Sequence, residues 1–126
     1  KSNWEKATKY FQIHVNSSEE DIEAQILLMQ SYTELKKFEI LAKKSDMLTL
    51  LFPTQPEFYY YGGLANNQLG NFKKAISLLD SGLDMVIDNK TLEININIQI
   101  GEAYSALGDI KKKEKYFIKA QELIKN

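Results

Sequence analysis

No cysteine occurs among the 126 residues. That excludes a disulfide framework and thiolate chemistry, and it leaves the compartment open, cytoplasm and bacterial periplasm alike. Arginine is missing too. All sixteen basic residues are lysines, set against seventeen acids, for a formal net charge of −1. A near-neutral chain without guanidinium groups lacks the basic stripe that marks nucleic-acid binders, so no nucleic-acid partner is expected. No apolar run approaches the roughly 20 residues that span a bilayer, so this segment is not expected to insert in a membrane. Histidine occurs once, at His14. No nucleophile or carboxylate constellation stands beside it, and catalysis needs a positioned partner. There is no metal-ligand spacing, phosphate-binding glycine loop or catalytic triad. Asp88, Asn89, Thr91 and Glu93 form too short and irregular a run for a calcium loop. The expectation is a chain that is not an enzyme, with no catalytic residue, no metal and no cofactor.

What is present is ordinary for a water-soluble globular domain: 44% hydrophobic and 26% charged residues. A chain of this length makes one modest domain that buries about two thirds of its unfolded surface. The start at Lys1 and the lack of a signal-like apolar segment suggest a piece of a longer protein. The abundance of Lys, Asn and Ile points to an AT-rich bacterial genome.

The chain repeats itself. Gly101–Leu123 and Gly63–Met85 share a glycine, an alanine two residues on, then Leu-Gly, an Asn or Asp, a hydrophobe and lysines. With Gly70 as anchor, Lys36 lies 34 residues back and Ser2 a further 34 back, while Gly108 follows 38 residues on. Two residues after each anchor stand Trp4, Phe38, Phe72 and Ile110; five after stand Ala7, Leu41, Ala75 and Lys113. A period of this length marks stacked supersecondary units. The four extra residues near Asn89–Glu93 approach one helical turn of about 3.6 residues, so they lengthen a helix without turning its buried face away.

The segments read as helices. Ser17 with Glu20 has capping-box spacing, and Thr54 with Glu57 repeats it, with Pro56 tolerated in a first turn. Gly70-Asn71 and Gly108-Asp109 are stop–start signals: the glycine takes the left-handed conformation that ends one helix, and the Asn or Asp caps the next. Asn3 stands in the same place before Trp4. Leu92–Ile100 alternates apolar and polar residues with the period of a strand, yet the repeat frame places a helix there, and a helix is expected.

These residues resemble the tetratricopeptide repeat. In the last unit the matching residues are Ile100, Gly101, Ala103, Tyr104, Gly108, Phe117 and Ala120. In the middle unit they are Tyr59, Gly63, Ala65, Gly70, Phe72, Ala75, Leu79 and Gly82. The first full unit carries Leu28, Tyr32, Phe38, Leu48 and Pro53, and the leading half-unit Trp4, Ala7 and Phe11. The resemblance covers essentially the whole chain. Asn66 departs from it where Tyr is usual, Met29 where Gly is usual, Lys113 where Ala is usual and His14 where a small residue is usual. The resemblance implies an all-α, right-handed superhelical solenoid of about seven antiparallel helices, roughly 3.5 repeats. Its parts would be a second helix of a partial repeat in 1–16 and full repeats in 18–53, 54–88 and 91–126. Gly63 and Gly101 would lie where two helices approach closely, so that a bulky side chain there overpacks at a cost of about 1–3 kcal/mol.

The resemblance also implies a concave groove, lined by the first helix of each unit, that holds a peptide or partner protein. The groove positions would be Glu23, Ile26, Leu27, Gln30 and Thr33, then Glu57, Tyr60, Tyr61, Leu64 and Asn67, then Asn95, Ile98, Gln99, Glu102 and Ser105. None is a lysine. The Lys, Arg and Asn cage with which relatives hold an acidic C-terminus is missing, and Glu23, Glu57 and Glu102 would repel anions. What remains is Tyr, Ile and Leu flanked by Asn and Gln. Tyrosine is a common interface anchor, and side-chain amides can pair with an extended backbone. The expected partner is a protein or peptide segment, neutral or basic, with apolar side chains.

Other readings stay open. Phe58–Tyr61 point around a helix, so at least two of these four aromatics, Phe58 and Tyr59, pack inside; Tyr60 and Tyr61 either face a partner or pack as well. Residues 111–126 carry six lysines and two glutamates, and residues 17–35 carry five acids and no base. These are solvated helix faces or a device that steers a partner. A second function is a structural spacer that self-associates head to tail through terminal helices bearing Trp4 and Phe11, or Phe117 and Ile124.

Overall fold

A computed structural model of the chain describes residues 4–9 and 22–126. Residues 4–9 are helical (α1). Six helices follow: α2 (Ile22–Glu34), α3 (Phe38–Leu51), α4 (Pro56–Gln68), α5 (Phe72–Met85), α6 (Lys90–Ala106) and α7 (Ile110–Lys125). No strand occurs among the described residues. The alternating segment Leu92–Ile100 lies inside α6. It escapes the strand period because α6 is packed on several sides. Leu92, Ile96, Ile100 and Ala103 are buried on one side and Asn97 and Gly101 on another.

From α2 onward each helix packs against its sequence neighbour, and the first helices also lie side by side, α2 on α4 and α4 on α6. The result is an all-α solenoid. Its core comes in two blocks. Leu28, Met29, Tyr32, Leu41, Leu48, Phe58 and Ala65 join α2, α3 and α4. Ala75, Leu79, Leu92, Ile96 and Ile100 join α5 to α6, with Tyr60, Tyr104 and Tyr116 packed against them. Neither block lies within one helix pair, as expected where each unit leaves an apolar face for the next to cover.

Glycine sets the close approaches. A Cβ at Gly63 would sit inside the Leu79 side chain, and one at Gly101 inside the Phe117 ring. The helix contacts α4–α5 and α6–α7 therefore have the same construction, as the sequence anticipated. Phe117 consequently packs inward, on Gly101, and is not bare on the end face; Ile124 is 63% exposed.

The turns are alike as well. Gly70 and Gly108 adopt φ of +84° and +80°. Asn71 N–H donates to Asn66 O at 2.8 Å and Gly70 N–H to Asn67 O at 3.2 Å; Asp109 to Tyr104 (2.9 Å) and Gly108 to Ser105 (3.1 Å) repeat the pattern. Both are Schellman ends, in which a left-handed residue closes the last carbonyls. After α2 the same bonds run from Lys37 to Tyr32 and from Lys36 to Thr33, with Lys36 at φ +58°.

Two helix starts differ from expectation. Helix α4 begins at Pro56 with Gln55, not Thr54, at its N-cap, and no side chain caps it; instead the Gln55 amide donates to Glu57 Oε1 at 2.9 Å. Thr54 is exposed, one residue too early to reach the first-turn amides, because Pro56 rather than Gln55 opens the helix. Asn71 is the N-cap of α5 but does not bond its backbone. Its amide donates to Asn66 Oδ1 at 3.4 Å, drawn there by the buried polar residue that replaces tyrosine. Asp109 does cap α7, accepting from Lys112 N–H at 3.1 Å, and Asn89 caps α6, accepting from Leu92 N–H at 3.1 Å. Asn3, Phe11, His14 and the Ser17–Glu20 capping box lie outside the described residues.

Candidate functional site

The face made by α2, α4 and α6 gathers most of the groove residues expected from the sequence. On α4, Glu57, Tyr60, Tyr61, Leu64 and Asn67 recur at helical spacing on one side, and all five are half-buried. Ile26 on α2, with Tyr61 and Leu64, packs against the first core block, while Tyr60 packs against the second. Ile98 and Gln99 on α6 are half-buried; Gln30 on α2 and Glu102 on α6 are exposed. The neighbouring residues Tyr60 and Tyr61 thus lean toward opposite blocks, at the two junctions that flank their unit. Their rings are edge to face with centroids 5.1 Å apart, a favoured aromatic arrangement. Phe58 is fully buried, tilted against Phe52 at 5.7 Å. Tyr59 donates its hydroxyl to Pro53 O at 2.8 Å. Those two aromatics pack within the chain, as the helical spacing implied.

The electrostatics of the face are one-sided. Burial lifts the Tyr61 hydroxyl pKa to about 12, with further contributions from Tyr60 and from the carboxylates of Glu57 and Glu34. Tyr60 is raised by burial and then by Glu102. Acids from α2, α4 and α6 therefore converge on one tyrosine pair, which stays neutral at any working pH.

Asn67 and Gln99 are not free amides. Asn67 Nδ2 donates to both Gln99 O and Gln99 Oε1 at 2.9 Å. The bond joins residues 32 apart in sequence and ties α4 to α6. The repeat resemblance implied that both residues share the face, but not that they hold each other; that depends on the rotation between units. Asn67 Oδ1 is buried without a hydrogen-bond partner among the described residues.

A second tyrosine pair, on α6 and α7, offers a contrast. Tyr104 and Tyr116 stack at 5.8 Å. Lys112 lies over Tyr104 at 5.3 Å, and Lys115 and Lys119 lie over Tyr116 at 5.5 and 4.8 Å. The lysine run of α7 thus covers aromatic rings of its own chain. Among the described residues, no group of three or more His, Cys, Asp or Glu could hold a metal ion, and no helix is long and apolar enough to cross a membrane.

This arrangement, helix pairs in a row with their first helices side by side, defines a helical-repeat solenoid. Solved structures share it. A MamA structure from Desulfovibrio magneticus RS-1 superposes with a TM-score of 0.81 at 18% identity, covering 98% of this chain and 68% of that one. MamA of MSR-1 gives 0.77 at 18% identity, with 98% and 68% covered. MamA of AMB-1 gives 0.77 at 19% identity, with 94% and 68% covered. At that identity the likeness establishes the fold. No protein-family model and no curated protein sequence matches the chain.

Proposed function

We propose that this chain is a tetratricopeptide-like interaction scaffold that holds a peptide or partner protein on the face of α2, α4 and α6. One observation carries the reading. Ile26, Tyr60, Tyr61, Leu64 and Ile98 form a partly exposed apolar and aromatic surface across three helices. Packing within the chain leaves part of each of these side chains exposed, and rigid tyrosines at the centre of a surface are favoured anchors. The partner is a neutral or basic segment with apolar side chains, since the acids on this face would repel an anionic one. Because the Asn67 Nδ2 is taken by Gln99, contact rests on the rings and carboxylates more than on amide pairing. The test is Tyr61→Ala in a partner pull-down, with circular dichroism as a check on folding. A partner lost while helicity persists supports the groove. Unchanged capture counts against it.

Self-association is a second reading, favoured by α7. Ile110, Ile118 and Ile124 are 54, 51 and 63% exposed on that helix, and a neighbouring copy would cover them. Light scattering that rises with concentration supports this reading, and a strict monomer counts against it.

A further inference from the structure

We propose that the Tyr60–Tyr61 pair is a receptor for a single cationic side chain, lysine or arginine, supplied by the bound partner. The inference rests on the interaction-scaffold reading and deepens it by naming the anchor. An aromatic face attracts a cation through its ring quadrupole. This chain shows cations gathered where tyrosines and a carboxylate meet: three lysines of α7 lie over Tyr104 and Tyr116, and the same three act on Asp80. Tyr60 and Tyr61 have no lysine over them among the described residues, and none of the groove positions on α2, α4 and α6 is a lysine. Their surroundings are instead anionic, with Glu57 on their own helix, Glu34 on α2 and Glu102 on α6. Glu57 accepts one bond, from Gln55; Glu34 and Glu102 are exposed.

Two partly exposed tyrosine rings with carboxylates from three helices are complementary to a compact positive charge on an apolar stem. The stem of a lysine or arginine packs along rings while its head stays polar. An apolar side chain would satisfy the rings and ignore the carboxylates. An anion would meet repulsion from all three acids.

The test uses three small probes on the 126-residue chain: the acetyl methylamides of lysine, arginine and norleucine. Aromatic NMR resonances of Tyr60 and Tyr61 are followed during titration. The lysine and arginine probes should shift both rings and saturate, binding about threefold to tenfold tighter than norleucine, with the advantage shrinking as salt is raised. Glu102→Gln, at an exposed position, should weaken the cationic probes and leave norleucine unchanged. Tyr60→Phe keeps the π-face and should keep binding, whereas Tyr60→Leu should lose it. Equal binding of norleucine overturns the cation receptor while leaving an apolar groove intact. Shifts confined to Tyr104 and Tyr116, or no shift at all, also overturn it. Partner capture by the unaltered chain then judges the scaffold reading separately.

Discussion

The first full helix pair and the two that follow solve one packing problem in opposite ways. In α4–α5 and α6–α7 the first helix gives up its side chain, Gly63 or Gly101, and the second supplies Leu79 or Phe117 to fill the space. The corresponding places in α2–α3 hold Met29 and Ser45, both fully buried, with the large residue on the first helix and the small one on the second. Ser45 also meets α4, since a Cβ at Gly62 would come within 3.1 Å of its own. Volume is conserved while its source moves, which close-packed interiors tolerate best. A departure from the repeat pattern at Met29 is therefore a matched exchange.

The largest test of that exchange is Met29→Gly. Emptying a fully buried methionine site inside a helix should cost about 3–6 kcal/mol in chemical denaturation, from the cavity and the helical glycine together. Adding Ser45→Leu should recover at least about 1 kcal/mol of this, and no recovery would show that the two places are not partners. Gly63→Leu, by contrast, should cost at least about 1–3 kcal/mol by overpacking.

The turns sharpen the contrast at smaller scale. Asp109→Ala removes a bond to the Lys112 amide and should cost about 1 kcal/mol. Asn71→Ala removes no cap bond but leaves the buried Asn66 Oδ1 without its donor and should cost about 1 kcal/mol; in an Asn66→Leu background it should cost only a few tenths, and an undiminished loss there would refute the distinction. The smallest effect is a gain. Lys36 holds the left-handed position that glycine holds at 70 and 108. Lys36→Gly relieves the strain of a side chain there but loosens the unfolded chain. A net stabilisation of up to about 1 kcal/mol in thermal melts is expected.

Much of this was legible because a repeat is a long-range signal written locally. The 34-residue period placed Gly63, Gly101, Gly70 and Gly108 where backbone approach or positive φ demands them, and it outweighed the two-residue alternation of Leu92–Ile100. Features that depend on single side chains were harder to read. Asn71 looks the same as Asp109 in sequence, and only the buried Asn66, standing where Tyr32 and Tyr104 stand in the other units, diverts it. That Tyr60, Tyr61 and Leu64 share one side of α4 was legible from the repeat frame and helical spacing. The opposite lean of the two tyrosines and the Asn67–Gln99 bond were not, since both are set by how far one unit turns against the next.

The Asn67–Gln99 bond bears on mechanics. A solenoid bends by small rotations at each junction, and an amide that donates twice across α4 and α6 resists that rotation where a simple apolar contact would slide. Between α2 and α4, Ile26, Tyr61 and Leu64 pack on one core block. Under load the chain should therefore flex at its earlier junction while the later one holds its pitch, making one half of the α2, α4 and α6 face stiff and the other compliant.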